Sequence, residues 1–180
     1  MARLLLLAAT LLWGCRTAPP PPVRPGEDAS VLRAKGILAF DQGRRADAYE
    51  QLQGARRSGD SEVELLLAAL ELERCAVEES RRALARVREL PEGSPYGELL
   101  AQVEEALSRY GVVILEGSGA ARVTVEPRAP VVDPAQRACL EEVQRELEEP
   151  VALPRRLSLP AGRYRLQGEA ILVAPGEETA

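Results

Sequence analysis

The chain has 180 residues, with 23 basic and 28 acidic side chains, a formal net charge of −5 and no histidine. The lack of histidine excludes a Ser-His-Asp triad, a Cys-His pair and a histidine-ligated metal, and the acidic balance argues against nucleic-acid binding. Aromatic residues make up only 3% of the chain, so the core has to be built from Leu, Val and Ala.

The first fifteen residues have the pattern of an export signal. Arg3 provides a positive start, and Leu4–Leu12 is an apolar run of the length found in signal peptides. A membrane-spanning helix needs about 20 apolar residues, so this run is too short to cross a bilayer and stay there. We predict a signal peptide over residues 1–14 that is removed before Cys15.

The signal ends in Leu12-Trp13-Gly14-Cys15. This run resembles the lipobox of bacterial lipoproteins, which has Leu at −3, a small residue at −1 and cysteine at +1. The resemblance implies that the Cys15 sulfur carries a diacylglycerol and that acyl chains such as palmitate hold the protein in the membrane. Arg16 is not the Asp that retains enteric lipoproteins in the inner membrane, which implies the outer membrane and a folded part facing periplasm or surface. A secretory signal cut elsewhere and an uncleaved anchor are the alternatives.

Residues 15–29 form the predicted tether. Thr17–Gly26 is rich in proline and includes four consecutive prolines, which favours an extended polyproline II rod. We expect this rod to hold the folded part away from the membrane surface. A ligand for a proline-reading domain is the alternative.

From residue 30 to residue 110 the apolar spacing is helical. Two short segments meet at a tight break, which predicts an antiparallel helical hairpin. The hairpin resembles a tetratricopeptide repeat at five positions, which are Gly36, the loop residue Gly43, and the trio Ala48, Leu52 and Ala55. The resemblance implies that small residues let the two helices approach closely while Leu52 fills the gap.

Residues 63–75 are apolar nearly all round, which predicts a helix covered on several sides. Asp60 and Ser61 are rival N-caps for it. The next segment, up to Pro91, is interpreted as the second helix of a divergent hairpin. Ser94 and Pro95 then predict the start of a fifth helix, polar on its outer face, that caps the helical array.

At residue 111 the pattern changes to that of β-strands. We predict an α+β chain in which a small antiparallel β-sandwich-like domain over residues 111–175 follows the helical hairpins. Residues 112–115 and 122–126, separated by Gly117-Ser118-Gly119, predict a β-hairpin. Later strands are expected at residues 156–159, 163–166 and 170–173, and the tail 176–180 is expected to fray.

A helix is inserted into this domain over residues 134–148, where Asp133 is a good N-cap and Pro134 fits the first helical position. After it, the segment 159–166 resembles an element of PEGA-type and carboxypeptidase-regulatory-like domains. In those domains a proline, a glycine and a tyrosine, here Pro160, Gly162 and Tyr164, turn one strand into the next. The resemblance implies a structural or binding module.

The cysteines and carboxylates of the chain show no pattern that is typical of a catalytic site. In an oxidising compartment Cys75 and Cys139 could form a disulfide, or both could be small core residues. Two cysteines make no metal site, and we expect no metal and no cofactor. Adjacent carboxylates such as Glu78 and Glu79 point about 100° apart on a helix and do not converge on one substrate atom. We therefore expect no enzyme activity.

Together these features predict a lipid-anchored envelope protein that binds other envelope proteins through its helical repeats, as a scaffold or assembly factor. The expected groove is lined by the first helices of the hairpins, including Arg33, Gln42 and Glu71. A periplasmic carrier with a small-ligand pocket between the helical and β halves is one alternative, and a cell-wall enzyme is another.

Overall fold

The computed structural model describes residues 28–56 and 60–179, and their fold is α+β. The predicted signal peptide, Cys15 and all but the last residues of the tether lie outside the described residues. The helices are α1 (Ala29–Asp41), α2 (Arg45–Ala55), α3 (Ser61–Glu73), α4 (Val77–Leu84), α5 (Gly97–Ser108) and α6 (Pro134–Glu146). The strands are β1 (Tyr110–Ala121), β2 (Val125–Pro127), β3 (Val151–Pro160), β4 (Gly162–Leu166), β5 (Glu169–Val173) and β6 (Glu178–Thr179).

Helices α1 and α2 pack closely because glycines lie at their contact. A Cβ atom on Gly36 would lie 2.6 Å from the Cγ atom of Leu52, and one on Gly54 would lie 2.7 Å from the Cδ1 atom of Leu32. Both leucines are buried, and each fills the space that the missing Cβ leaves open. Dense packing of this kind makes either glycine hard to replace.

Helix α3 is the central element of the helical half. Ten of its 13 residues are buried, and it contacts α1, α2, α4 and α5. The Asp60 side chain caps its first turn by accepting hydrogen bonds from the backbone N–H groups of Glu62 and Val63. The prediction of a helix covered on several sides is confirmed for α3.

Two helix boundaries differ from the prediction. Helix α4 ends at Leu84 rather than near Pro91, because the chain beyond Leu84 leaves the helix and runs along α3. Helix α5 begins at Gly97. Its predicted N-cap, Ser94, accepts a hydrogen bond from the backbone N–H of Tyr96 over 3.4 Å and donates its hydroxyl hydrogen to the carboxylate of Glu62 over 2.7 Å. The Ser94 side chain therefore also connects the start of α5 to α3.

The predicted hairpin between residues 112–115 and 122–126 is wrong. Strand β1 runs on through Gly117 and Gly119, which both have positive φ, and its pairing with β3 shifts register between Leu115 and Gly119. A glycine-rich bulge of this kind bends a strand without reversing it. Strand β1 therefore lies in a sheet of order β3-β1-β6, while β2 lies in a second sheet of order β2-β4-β5.

The segment Pro160-Ala161-Gly162 carries the chain from β3 in the first sheet to β4 in the second. Tyr164, which is buried, donates its hydroxyl hydrogen to the carbonyl oxygen of Pro160 over 2.8 Å. This bond ties the start of β4 back to the end of β3. The three residues singled out in the sequence therefore form a corner between sheets, and the hairpin partner of β4 is β5.

Helix α6 begins where the sequence predicts and ends two residues earlier, at Glu146. The Asp133 side chain accepts hydrogen bonds from the backbone N–H groups of Ala135 and Gln136. The helix packs against β3, and its Gln144 amide donates to the carbonyl oxygen of Val125 on β2 over 2.8 Å. The helix therefore connects the two sheets at one side.

The C-terminal residues form a strand, so the prediction of a frayed tail is wrong for residues 176–179. Strand β6 pairs in parallel with Val112 and Val113 of β1. Just before it, the N–H group of Gly176 donates to the carbonyl oxygen of Tyr110 over 2.9 Å. Strand β3 pairs with one edge of β1, and the C-terminal residues provide hydrogen-bond partners for backbone groups on the other edge.

Two apolar clusters form the interior. One lies among α1 to α5, and the other lies between the two sheets and α6, with Leu159, Tyr164 and Val173 among its buried members. Within residues 28–56 and 60–179, no helix combines the length and the apolar character that crossing a bilayer requires.

Candidate protein-binding surface

The three residues predicted to line a groove do not share an open surface. The Arg33 guanidinium on α1 bonds to Asp60 over 2.7 Å and also to Glu62. Glu71 on α3 is buried and accepts a hydrogen bond from the hydroxyl of Tyr49 over 2.6 Å. Only Gln42, at the end of α1, is fully exposed. Two of the three side chains therefore hold helices together and are not available to a partner.

The segment between α4 and α5 covers the surface that α1 and α3 share. We call residues 85–96 the strap. Three hydrogen bonds join the strap to α3, from Arg86 to Glu64, from the backbone N–H of Arg88 to the Ser61 hydroxyl, and from Ser94 to Glu62. A fourth joins it to α1, from the Tyr96 hydroxyl to Asp41. The Tyr96 ring also meets Phe40 edge-on. The strap therefore occupies the position where the sequence predicted a groove.

Three glutamates of α3 are buried between helices, and two of them, Glu62 and Glu64, accept hydrogen bonds from the strap. Glu62, Glu64 and Glu71 are each less than 10% exposed. Glu64 accepts two hydrogen bonds from Arg56 at the end of α2, over 3.1 and 3.2 Å. Carboxylates this deeply buried persist only where cations and donors surround them. They therefore act as fixed points between helices, and nothing in their spacing along the sequence distinguished them from surface glutamates.

An open cleft lies on the other side of α3, between α2 and the C-terminal half of α3. Its volume is about 530 Å³, and we call it the α2–α3 cleft. Its walls are formed by Arg45, Ala46, Tyr49, Glu50, Leu70, Glu73 and Arg74. Leu70 forms an apolar floor, and charged side chains of both signs form the rim.

The arginines of the α2–α3 cleft are held in place by aromatic rings and ion pairs. The Arg45 guanidinium lies 4.3 Å from the centre of the Phe40 ring and bonds to Glu73 over 3.2 Å. Arg74 lies 4.1 Å from the centre of the Tyr49 ring. Ordered arginine and tyrosine side chains around an apolar floor are the composition found at the energetic centres of protein interfaces. The side chains of the cleft therefore have the composition of a protein-binding surface.

Burial raises the pKa of all four tyrosines, and neighbouring carboxylates add to the effect for three of them. The pKa of Tyr96 rises to about 12 through burial and through its hydrogen bond to Asp41. The pKa of Tyr164 rises to about 12 through burial in the β core. In the cleft, burial and the bond to Glu71 keep Tyr49 protonated.

We expect the folded protein to ionise its tyrosines above pH 10, their ordinary pKa, with Tyr96 and Tyr164 ionising last, near pH 12. The folded chain then holds more protons than the unfolded chain between pH 10 and pH 12. The resulting stability is complete below pH 10 and is lost as the pH rises toward 12. Phenolate absorbance in native buffer and in urea measures the difference. Coincident titration curves would contradict the assigned burial, and Tyr96→Phe should weaken the pH dependence of unfolding.

A disulfide joins the two halves of the chain. Cys75 follows α3 with a φ of +63°, and its sulfur is bonded to that of Cys139 on α6, with the Cα atoms 4.9 Å apart. Beside it lies a pocket of about 300 Å³, between α3, α5 and α6. The pocket is mainly apolar, with Ala69, Leu72, Leu99, Val103, Ala106, Tyr110 and Cys139 among its walls. Residues of both halves of the chain line this pocket.

No protein-family model, no curated protein and no solved structure matches this chain. Within the part of the chain that the structure describes, no three Cys, Asp or Glu side chains come together as a metal site would require. The function therefore has to be argued from the chain's own residues.

Proposed function

We propose that this protein is a lipid-anchored scaffold of the bacterial envelope, held in the membrane at Cys15, that binds a partner protein in the α2–α3 cleft. The cleft is the observation that carries the binding proposal, because its Arg45 and Arg74 are ordered before any partner arrives. Pre-ordered side chains lose less conformational entropy on binding, which favours affinity. The anchor proposal is supported by the lipobox-like residues that end at Cys15.

The finer description of the fold is part of this proposal. We interpret α1 to α4 as two divergent tetratricopeptide-like hairpins and the six strands as a sandwich-like module of the PEGA type. The close contact of Gly36 with Leu52 supports the first interpretation. The corner from Pro160 to Tyr164, between two small sheets, supports the second.

Blocking the α2–α3 cleft should abolish partner binding without unfolding the protein. Ala46 is exposed at the edge of the cleft, so Ala46→Trp fills the cleft and leaves the core untouched. Ala101→Trp is the matched control, because Ala101 is an exposed helical alanine on α5. We expect a photo-crosslinking residue at position 46, but not at 101, to form one discrete adduct in intact cells.

In a second experiment the photo-crosslinking residue replaces Glu50, which also lines the cleft. Adding Ala46→Trp should eliminate the adduct formed from position 50, and adding Ala101→Trp should leave it intact. Equal crosslinking from positions 46 and 101 would reject the cleft as the binding surface. The same would follow from an adduct that survives Ala46→Trp.

The anchor makes a separate prediction. Cys15→Ser removes the sulfur that would carry the diacylglycerol, so the protein should move from the membrane fraction to the soluble fraction or stay as an unprocessed precursor. Mass spectrometry of the purified wild-type chain should find an acylated Cys15 at its N-terminus. A mature chain that starts elsewhere without an acyl group would reject the anchor and leave the cleft proposal standing.

A carrier of a small apolar ligand is a second candidate, favoured by the pocket between α3, α5 and α6. Its volume of about 300 Å³ is at the lower end of the range for ligand sites. A carrier would retain its ligand through purification, and Ala46→Trp would not change the amount retained, because Ala46 does not line this pocket. This behaviour separates the two candidates.

A further inference from the structure

Helix α1 carries an apolar stripe that no other part of the described chain covers. Val31 is 42% exposed, Leu38 is 54% exposed, and Ala34 between them is also exposed. Their spacing of i, i+3 and i+7 places them on one face of the helix, opposite the face that α1 buries. We call these three residues the α1 stripe.

The α1 stripe is too small to hold a protein partner by itself. A stable protein interface buries about 800 Å² on each side, and the stripe offers two large side chains. An occupant that is already held nearby needs far less contact area, because tethering supplies a high effective concentration. The size of the stripe therefore favours a surface to which this chain is already attached.

The chain before α1 provides that attachment. Twelve residues lie between Cys15 and Asp28, where the described structure begins, and the fully extended chain from Cys15 to Asp28 is at most roughly 45 Å long. This step rests on the proposed acylation of Cys15. With that anchor in place, α1 is the first described helix after Cys15. A tether of this length can hold α1 away from the bilayer when it stands upright, and it allows contact when it lies along the surface.

We propose that the α1 stripe lies against the surface of a zwitterionic bilayer, with Val31 and Leu38 in the headgroup region. Amphipathic helices make this kind of contact by burying apolar side chains at the boundary of headgroups and acyl chains. Asp28 and Asp41 lie at the two ends of α1, and the chain is acidic overall. Lys35 is exposed between Val31 and Leu38, so this side of α1 holds charges of both signs, as a zwitterionic headgroup does. A negatively charged surface would repel the two aspartates and the acidic chain as a whole.

The composition of the chain allows a direct test. Trp13 is the single tryptophan, so a chain that begins at Cys15 has none, and Leu38→Trp introduces one reporter on the stripe. Leu172→Trp is the matched control, because Leu172 is 61% exposed on β5. Each variant, with its disulfide intact, is coupled through the Cys15 thiol to a maleimide phospholipid in phosphatidylcholine vesicles. The vesicles are prepared with and without bromine on the acyl chains.

Chemical coupling supplies the anchor, so the result does not depend on acylation in the cell. We expect Leu38→Trp to shift its emission to the blue on coupling and to lose roughly half of its intensity in brominated vesicles. Leu172→Trp should do neither, and added phosphatidylglycerol should reduce the effect at position 38.

Three outcomes would overturn the proposal. The first is no quenching at position 38, and the second is equal quenching at positions 38 and 172. The third is a blue-shifted emission of Leu38→Trp before vesicles are added, because the chain itself or a second copy would then cover the stripe. Circular dichroism of both variants establishes that they are folded before coupling.

Discussion

Replacing Cys75 and Cys139 by alanine is expected to lower the free energy of unfolding by about 4 kcal/mol. The two residues are 64 positions apart, and closing a loop of that length removes this much entropy from the unfolded chain. Natural domains are stable by only about 5–15 kcal/mol. The loss should therefore be visible as a large fall in the urea midpoint measured by circular dichroism.

Reducing the wild-type protein is the control for the alanine substitutions. Dithiothreitol should lower the midpoint of the wild type to that of the double variant and leave the double variant unchanged. An equal midpoint for oxidised and reduced wild type would contradict the loop-closure argument. Because the bond ties the end of α3 to α6, its loss should also raise hydrogen exchange in α6 more than in α1.

Replacing Gly111 by alanine is expected to destabilise the protein by about 3 kcal/mol. A Cβ atom at this position would lie 2.3 Å from the carbonyl oxygen of Ala174 and 2.7 Å from a methyl carbon of Val173. The carbonyl belongs to the backbone and cannot rotate away as a side chain would. The segment that leads into β6 would have to move off β1, and the first sheet would lose its third strand.

Gly97→Ala is the matched control for Gly111→Ala. Gly97 is the first residue of α5, and a Cβ atom there would meet no atom within 4 Å. Alanine at a compatible helical position reduces the entropy of the unfolded chain, so we expect no loss and a gain of up to about 1 kcal/mol. If both variants had the urea midpoint of the wild type, the close contact between Gly111 and the segment from Val173 to Glu177 would be rejected.

The surface proposed for binding differs from the one the sequence indicated, and the cause is the strap. Residues 85–96 contain two prolines and one glycine and have the sequence of an ordinary connection between helices. Their anchors, Glu62 and Glu64, lie more than twenty residues earlier in the chain. A linear pattern contains no information about such a pairing, because side chains become neighbours only after α3 and α5 have packed.

The β half shows the same limit in a different form. The alternating residues indicate most of the strand segments, though not β6, and they do not indicate the partner of any strand. Gly117 and Gly119 suit a turn and a bulge equally well, since both use positive φ. The structure has a bulge at this point, because residues beyond Gly119 continue to pair with β3. A turn at these glycines would remove that pairing.

What the sequence determined by itself is local. The helices, the cap at Asp133 and the change of period near residue 111 all follow from residues that interact within a few positions. Only the tertiary structure decided the strand partners, the role of the tail, the bond between Cys75 and Cys139 and the covering of the predicted groove. Each of those features requires contact between residues far apart in the sequence. Such contacts are determined by how the whole chain buries its apolar surface, and no single segment contains that information.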